Sequence, residues 1–349
     1  MLIEIWAECD GLGHITRQIN LARELQTRPA LQDGQIRFVV DAQPALQHLV
    51  RASGFPLVVR PGPLAEARAF MAARWQAQPP DIFILDSVRQ DQDPHVAPLL
   101  RQPGVYSLAV IDDPRQRRVA ADLVVNALPS LSGVPSPRPL DTVYCLGKDY
   151  FILAPEFSAG HAQARSIRPV AQQGFIFFGG LDGNDFTSLA LDAIARLEGM
   201  AWTLLVGALY AGAAAVEARV RRAGLPVRVV RQVPDMAQLL SEVDVALLAG
   251  GNSLIEAAAL GTPTVAGCQN DIQYENARFF ADRCGLPCLG RPGEFDAQAI
   301  RQAVQGLVRA ADWRQALSQS LKREIDGQGA RRVADALLRG WHEKSGDNV

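Results

Sequence analysis

The residues Asp10–Arg17, Asp-Gly-Leu-Gly-His-Ile-Thr-Arg, place a histidine in a glycine-rich turn directly after a short apolar run. Apolar residues then recur at helical spacing, with Ile15 and Ile19 on one face, so the pattern predicts a strand, a tight turn and a helix. Glycine lets a backbone turn sharply and approach a ligand, and the start of a helix presents N–H groups to an anion. Because histidine titrates near neutral pH, His14 in this turn is a candidate general base.

Two other interpretations of this loop rest on the same residues. Gly11 and Gly13 match the first two glycines of a dinucleotide-binding fingerprint, but Thr16 stands where the third glycine is required. Asp41 also comes late for the acid that binds a ribose in such sites, so the pattern disfavours a dinucleotide site. Alternatively, His14 only caps the helix or satisfies a local hydrogen bond.

A second glycine turn, Gly-Gly-Asn-Ser-Leu-Ile-Glu, follows another apolar run. Gly250 and Gly251 let backbone amides converge where a helix begins, and Asn252 and Ser253 lie near its N-terminus. Such a turn forms a diphosphate cradle that needs no metal ion. Glu256 can accept hydrogen bonds from both ribose hydroxyls, or it can form a Ser-x-x-Glu capping box with Ser253, and the sequence leaves both roles open.

A third turn of this kind, Phe178–Thr187, also leads from an apolar run into a helical pattern. Its residues Gly180, Leu181 and Asp182 are candidates for contacts with a nucleotide. The alternative is a plain turn in which Asp185 caps the helix.

A polar segment follows the strand that restarts after Gly261-Thr262-Pro263. It contains Asn270, Asp271 and Gln273, whose side chains can donate to and accept from hydroxyl groups. We interpret this segment as a polar loop suited to a sugar.

The elements that must position these turns alternate along the chain as apolar runs and helical patterns. The first half has predicted strands at Ile36–Val40, Asp81–Asp86, Tyr106–Ile111 and Asp122–Asn126. The second half begins at Gly174 and has predicted strands at Trp202–Val206, Val227–Val230, Val243–Leu248 and Pro263–Ala266. This alternation predicts an α/β fold with parallel doubly wound sheets, in which ligands bind at the carboxyl ends of strands. The polar side chains at those ends in the first half are His14, Asp86, Asp112 and Asn126.

The chain length of 349 residues exceeds what one core usually supports, so we expect two domains. We place an N-terminal Rossmann-like domain at residues 1–158, a linker at 159–173 and a C-terminal nucleotide-binding domain at 174–349, with the last helices able to pack back on the first domain. Two such domains facing a cleft form the GT-B-like plan. Other tandem Rossmann-like proteins share this plan, so the layout alone does not set the function.

The composition excludes several classes of protein. Hydrophobic residues make up 48% and charged residues 21%, which is ordinary for a globular chain. A net charge of −2 without a dense Lys/Arg block argues against a nucleic-acid partner. No apolar stretch reaches the length of a membrane span, and the first residues lack a basic leader.

The five cysteines are odd in number and scattered. Cys284 and Cys288 lack a second ligand pair at the spacing of a zinc site. We therefore expect reduced thiols in the cytoplasm, no metal site and no cofactor.

Several motifs occur in order along the chain, and together they resemble one family. They comprise Gly-x-Gly-His-x-x-Arg (Gly11, Gly13, His14, Arg17), an Asp-Asp with a following Asp and Asn (Asp112, Asp113, Asp122, Asn126), Gly147 to Phe157 with Tyr150, Leu153, Pro155 and Glu156, then Phe178–Asp182, Gly251–Glu256 and Gln273. From the first strand to about Gly285, the chain resembles the UDP-sugar hydrolases of pseudaminic acid biosynthesis. That family removes UDP from UDP-2,4-diacetamido-2,4,6-trideoxy-β-L-altropyranose.

The resemblance implies hydrolysis with inversion at the anomeric carbon, with His14 as the base. It also completes the expected sugar side, which comprises Gly13, Arg17, Asp86, Asn270, Asp271 and Gln273. The chain departs from the family at two positions, where Val88 replaces a usual tyrosine and Ala154 replaces a usual arginine. The missing phenol removes a hydrogen-bonding group from the expected sugar pocket.

Our prediction is therefore a metal-independent nucleotide-sugar hydrolase whose substrate is a UDP-linked amino or deoxy sugar. The alternative is a GT-B glycosyltransferase that uses the same loops with an acceptor hydroxyl in place of water, similar in plan to the peptidoglycan N-acetylglucosaminyltransferase. A third possibility is a sugar-nucleotide binding protein without turnover.

Overall fold

The computed structural model describes residues 1–8, 12–62, 64–87, 97–111, 121–129 and 141–346. These residues form two compact units: unit 1 contains the described residues of Met1–Pro155 and Gln328–Val349, and unit 2 contains Glu156–Gly327. Several positions singled out in the sequence lie outside the described residues: Asp10, Gly11, Val88, Asp112 and Asp113.

The first part of unit 1 alternates strands and helices. Its elements are β1 (Leu2–Glu8), α1 (Leu12–Gln26), β2 (Gln35–Val40), α2 (Pro44–Ala52), β3 (Leu57–Val59), α3 (Leu64–Ala77), β4 (Ile82–Ser87), β5 (Tyr106–Val110), β6 (Leu123–Asn126) and β7 (Val143–Leu146). Short 3-10 turns occupy Pro29–Leu31, Ala97–Arg101 and Lys148–Tyr150.

The described strands of unit 1 pair in parallel in the order β3-β2-β1-β4-β5-β6-β7. Both faces of this sheet are covered: Ile3 and Ile5 of β1 face one apolar core, and Trp6 faces the other. Buried parallel strands are apolar on both faces for this reason. The strand order reverses between β1 and β4, and the carboxyl ends of strands at such a switch point form the usual ligand site of the fold.

Unit 2 repeats the alternation. Its elements are α4 (Pro155–Ala162), which starts at the boundary, then β8 (Gln173–Phe177), α5 (Phe186–Ile194), β9 (Ala201–Leu205), α6 (Ala213–Ala223), β10 (Val227–Val230), α7 (Met236–Glu242), β11 (Val245–Ala249), α8 (Asn252–Leu260), β12 (Thr264–Gly267), α9 (Asp271–Cys284), β13 (Cys288–Gly290), α10 (Ala297–Arg309) and α11 (Ala311–Glu324). The last helix, α12 (Gly329–Ser345), belongs to unit 1, where Val333 and Leu337 are buried in the core.

The strands of unit 2 pair in parallel in the order β10-β9-β8-β11-β12-β13. The switch point lies between β8 and β11, so the turns after these two strands lie at the expected ligand edge of the sheet. Helix α8 begins at that edge and is apolar over most of its surface, with Leu254, Ile255 and the run Ala257–Leu260 buried. A helix that is apolar nearly all round must be covered by other elements.

Most predicted strands form close to their predicted positions, and β10 has the predicted bounds Val227–Val230. Strands β3, β7 and β13 are not among the predicted strands, because each has only three or four residues and therefore almost no periodic signal. No described helix is long and apolar enough to cross a membrane.

Residues 159–173, where we expect a linker, lie within unit 2 and are fixed to it. The guanidinium of Arg165 donates to the carbonyls of Leu240 and Val243, and the carboxylate of Asp244 accepts from Arg168 and from the backbone N–H of Gln173. These contacts anchor a polar segment that the sequence pattern presents as irregular.

Candidate functional site

The switch point of unit 1 brings His14 to Asp86. His14 lies in the first turn of α1, directly after β1, and Asp86 lies near the carboxyl end of β4. Because β1 and β4 are neighbours, with Ala7 opposite Asp86, the two side chains meet. His14 Nδ1 lies 2.7 Å from Asp86 Oδ1.

Asp86 is fully buried and accepts hydrogen bonds from three side chains of one helix. Arg17 Nε and Nη2 donate to Oδ2 and Oδ1 at 2.6 and 2.5 Å, and Gln18 Nε2 donates to Oδ2 at 2.8 Å. His14, Arg17 and Gln18 lie at positions i, i+3 and i+4 of α1, which is the spacing of one helix face.

The charge state of Asp86 follows from these contacts. Burial by itself raises the pKa of this carboxyl, but the charges of Arg17 and His14 and their hydrogen bonds outweigh it and hold the pKa well below its ordinary value. Asp86 is therefore an anion across the physiological range of pH.

The anionic partner sets the tautomer of His14. A carboxylate accepts the Nδ1–H of an imidazole, which leaves the lone pair on Nε2, the nitrogen that can take up a proton. Arg17 Nη2 also lies 3.0 Å from Nδ1, but a guanidinium can only donate, so it makes no hydrogen bond to an Nδ1 that carries a proton. The side chain of His14 is 17% exposed, so it is held by the protein but reaches the surface of the unit. A histidine held by a carboxylate in this way is chemically able to act as a general base at Nε2.

Two predicted sugar contacts on unit 1 have other roles in the structure. Both oxygens of Asp86 are occupied by protein donors, and Arg17 is one of those donors, so these residues orient His14 instead of presenting free polar groups. The direct sugar contact predicted for Asp86 is not tested by these protein contacts and stays a prediction. Gly13 is exposed in the first turn of α1.

The switch point of unit 2 holds Gly250 and Gly251 between β11 and α8. Gly251 is the N-cap residue in an extended conformation, and no side chain caps the helix. The first N–H groups of an α-helix have no partners within the helix, so the residues around Asn252 and Ser253 present donors and the positive end of the helix dipole. A diphosphate is the kind of ligand such a turn binds.

Glu256 lies in the first two turns of α8, and the structure removes one of its two predicted roles. A capping box requires Ser253 at the N-cap, but Gly251 occupies that position. Within the part of the chain that the structure describes, the Glu256 carboxyl has no hydrogen-bond or ion-pair partner. It is partly buried, and this burial raises its pKa to about 7. A carboxyl in this state is available to accept ribose hydroxyls.

Asp182 in the Gly180 turn is held by contacts within the protein. The Asp182 carboxylate accepts from the backbone N–H groups of Phe186 and Thr187, at 3.0 and 2.9 Å, and from the amide of Gln269 at 2.7 Å. It therefore caps helix α5, and its negative charge occupies the place where an anion would bind that helix. The nucleotide contact predicted for Asp182 is not tested by these protein contacts and stays a prediction.

Asp185 is not the cap that the alternative interpretation required, because its side chain makes no capping bond and instead accepts from the hydroxyl of Tyr210. Gly180 has open space where a side chain would stand, and Leu181 is 60% exposed, so both remain candidates for contact with a ligand.

The predicted polar loop after β12 is wrong, because its residues begin a helix. Asn270 is the N-cap of α9 and accepts from Gln273 N–H at 3.0 Å. Asp271 forms an exposed ion pair with Arg291. Gln273 lies beside the Gly250–Gly251 turn, because a Cβ on Gly251 would lie 3.5 Å from Gln273 Nε2. Of the three, Gln273 is the residue placed near the candidate nucleotide site.

Three residues of these sites were missed in the sequence: Gln18, Gln269 and Asn276. Gln18 could have been found from its i+4 spacing to His14. Gln269 joins the Asp182 cap to the start of α9, and Asn276 donates to the carbonyl of Gly250 at 3.2 Å. No sequence signal marks the last two, because Asp182, which accepts from Gln269, and Gly250, which accepts from Asn276, are distant in the chain.

No group of three or more His, Cys, Asp and Glu side chains that could hold a metal ion occurs among the described residues.

No known protein-family profile matches this chain. Among curated proteins, the spore coat polysaccharide biosynthesis protein SpsG of Bacillus subtilis (strain 168) is 25% identical over 201 residues, which cover 57% of this chain and 58% of SpsG. A second curated relative is matched over 54% of its length. The chain thus spans just over half the length of the curated relatives it matches.

Solved structures match almost the whole chain. MurG of Acinetobacter baumannii gives a TM-score of 0.69 at 15% identity, over 97% of this chain and 99% of that chain. A UDP-glucosyltransferase from Polygonum tinctorium gives 0.69 at 13% identity, over 98% of both chains. At these identities the likeness shows the fold, and it confirms the predicted pair of Rossmann-like, parallel-sheet domains of the GT-B type.

Proposed function

We propose that this chain is an enzyme that cleaves the anomeric carbon–oxygen bond of a nucleoside-diphosphate sugar, most simply a UDP-sugar. The observation that carries the proposal is the pairing of His14 with the buried Asp86 at the switch point of unit 1. In this proposal Nε2 of His14 removes a proton from an oxygen nucleophile while the nucleoside diphosphate leaves. Asp86 stabilises the imidazolium that forms, and Arg17 and Gln18 hold Asp86 in place.

Unit 2 is assigned the nucleotide. The uncapped start of α8 at Gly251 supplies N–H donors and a positive dipole end for the diphosphate, which gains negative charge as it leaves. Glu256 is assigned the ribose hydroxyls, because its carboxyl is partly buried and has no partner among the described residues. Attack by a single nucleophile opposite the leaving group inverts the anomeric centre.

We infer that the nucleophile is the hydroxyl of a sugar or polysaccharide acceptor. Two likenesses support transfer: SpsG is named for polysaccharide biosynthesis, and the Polygonum tinctorium neighbour is a UDP-glucosyltransferase. An acceptor hydroxyl needs the same base as water does, so the geometry of His14 serves transfer directly.

Hydrolysis is the second candidate, with water in place of the acceptor and a UDP-linked amino or deoxy sugar of nonulosonic acid biosynthesis as substrate. The observation that favours it is the Gly-x-Gly-His-x-x-Arg loop, whose arginine binds Asp86 beside His14. That loop carries the resemblance to the UDP-sugar hydrolases.

The test is to incubate the purified protein with a panel of UDP-sugars, with and without acceptor sugars, and to identify the products. Transfer gives UDP and a glycosylated acceptor and depends on the acceptor. Hydrolysis gives UDP and free sugar without any acceptor, and NMR of the first-formed anomer reports inversion. If UDP binds but is not released from any donor under either condition, the chain is a binding protein and the catalytic proposal fails.

A further inference from the structure

Helix α9 holds the Gly250–Gly251 turn through Gly250. The side-chain amide of Asn276 donates from Nδ2 to the carbonyl oxygen of Gly250 at 3.2 Å. The backbone of α9 also packs directly against the same residue, because a Cβ on Gly250 would lie 2.3 Å from the carbonyl oxygen of Gln273. Gly250 is therefore fixed from one side by two groups of α9.

Fixing this carbonyl also fixes the N–H of the next residue. The peptide bond between Gly250 and Gly251 is planar, and in the trans form the C=O and the N–H point in opposite directions. When Asn276 holds the carbonyl of Gly250 toward α9, the N–H of Gly251 points away from α9. Gly251 is the N-cap of α8, so this N–H lies at the uncapped start of the helix.

The oxygen of the Asn276 side-chain amide indicates why an asparagine occupies this position. Asn276 is only 6% exposed, and its Oδ1 has no hydrogen-bond partner among the residues that the structure describes. A buried polar atom without a partner destabilises a fold, and an apolar side chain of similar size avoids that cost. The donor at Nδ2 is therefore the group for which an asparagine, and not a leucine, is useful at this position.

We propose that Asn276 is a positioning residue for a nucleoside diphosphate: it orients the Gly250–Gly251 peptide so that the Gly251 N–H donates to the diphosphate. The inference rests on the proposed function, because it takes the start of α8 as the diphosphate site. It adds a residue that touches no ligand and acts only through the peptide plane.

The experiment compares UDP with uridine, which lacks the diphosphate, by calorimetric or NMR titration of the full chain. Asn276→Asp keeps the shape but replaces the donor with an oxygen that faces the Gly250 carbonyl, and Asn276→Leu removes the donor. Both variants should weaken the binding of UDP by about tenfold or more and the binding of uridine by less than about twofold. The matched control is Arg278→Ala, an exposed position on the same helix, which should change neither affinity.

An equal loss for UDP and uridine in these variants assigns Asn276 a general structural role and overturns the inference. Unchanged UDP affinity in folded Asn276→Asp overturns it as well. In the wild-type protein labelled with 15N-glycine, the Gly251 amide resonance should shift on addition of UDP and not of uridine. A Gly251 resonance that does not move at saturating UDP overturns the inference even where the variants fail to fold. If the wild-type protein binds no UDP, the proposed function itself fails.

Discussion

His14 Nδ1 and Asp86 Oδ1 lie 2.7 Å apart although the two residues are separated by 72 positions in the chain. Their contact follows from the strand order, in which β4 lies beside β1 and runs parallel to it. The turn after one strand and the carboxyl end of the other therefore meet at the same edge of the sheet. Arg17 and Gln18 then saturate the remaining acceptor positions of Asp86, so the pair is held rigidly.

Replacing His14 with asparagine should separate binding from chemistry. If His14 is the base, His14→Asn lowers kcat by about a hundredfold or more, the usual effect of losing general-base catalysis. The UDP dissociation constant should remain unchanged, because the nucleotide is assigned to unit 2. Steady-state kinetics with the active UDP-sugar, together with calorimetry on UDP, measure both. Turnover close to wild type would leave His14 with a structural role only.

A second variant tests whether Asp86 acts through His14. Asp86→Asn removes the anion that sets the imidazole tautomer, so we expect a similarly large loss of kcat. In the double variant the two losses should not add, because groups that act as a unit are non-additive. Additive losses would show that Asp86 has a separate contact with substrate. Thermal unfolding must accompany the assay, since this substitution also leaves the Arg17 guanidinium without its anionic partner.

The sequence predicted the parts of this site that follow from local pattern and strand order. The glycine turn, the histidine and the aspartate at the end of a predicted strand suffice to place His14 and Asp86 at one sheet edge. The prediction from sequence was wrong for the polar segment after β12, which allows two interpretations. Asn270 and Gln273 have the spacing of an N-cap and its third helical residue, so the cluster fits the start of a helix as well as the predicted loop.

The remaining differences depend on tertiary contacts that one sequence does not reveal. Asp182 and Asp185 both adopt a positive φ, at 41° and 54°, and only the packing of the Gly180 turn decides which of them faces the N–H groups of α5. Likewise, two of the partners of Arg165 are backbone carbonyls, which every residue has, so no residue type marks them in advance. The anchored segment at 159–173 therefore has the composition of a linker.

The two adjacent glycines Gly250 and Gly251, at the proposed diphosphate site, should respond differently to substitution. A Cβ on Gly250 would lie 2.3 Å from the Gln273 carbonyl oxygen, so Gly250→Ala should destabilise the protein measurably. A Cβ on Gly251 finds its nearest neighbour at 3.5 Å, so Gly251→Val should fold. Its side chain would instead block the approach of a diphosphate and raise the UDP dissociation constant by about tenfold or more. Calorimetry and thermal unfolding distinguish the two outcomes, and an unchanged UDP affinity in Gly251→Val would place the nucleotide elsewhere.

Because of Glu256, the stability of the protein should fall as pH rises, whereas its affinity for UDP should rise. Burial raises its pKa from about 4.5 to about 7, so the folded protein holds a proton that the unfolded chain has already released. The wild-type protein therefore loses stability as pH rises from about 4.5 to about 7, and the loss is complete above that window. Glu256→Gln does not titrate, so it should become more stable than wild type by about 1–3 kcal/mol at pH 8.

The same substitution should lower the affinity for UDP. An amide oxygen accepts hydrogen bonds less strongly than the carboxylate that we assign to the ribose hydroxyls. Wild-type affinity should rise as pH passes through 7, with proton release visible in calorimetry as a dependence on the ionisation enthalpy of the buffer. Glu256→Gln should show neither effect. If Glu256→Gln is less stable than the wild-type protein and binds UDP with the same affinity, the assignment is contradicted.

Asp182 should contribute to the stability of the fold and not to the affinity for the nucleotide. Its carboxylate caps helix α5 through Phe186 and Thr187, so Asp182→Ala should lower the free energy of unfolding by about 0.5–2 kcal/mol. The UDP dissociation constant should change by less than about twofold, because the anion already at α5 leaves the uncapped α8 as the place for the diphosphate. Asp185→Asn is the matched control, since asparagine tolerates the same positive φ and can still accept from Tyr210. Denaturant unfolding and calorimetry of both variants decide the question: a large loss of UDP affinity with unchanged stability in Asp182→Ala would return this residue to the nucleotide site.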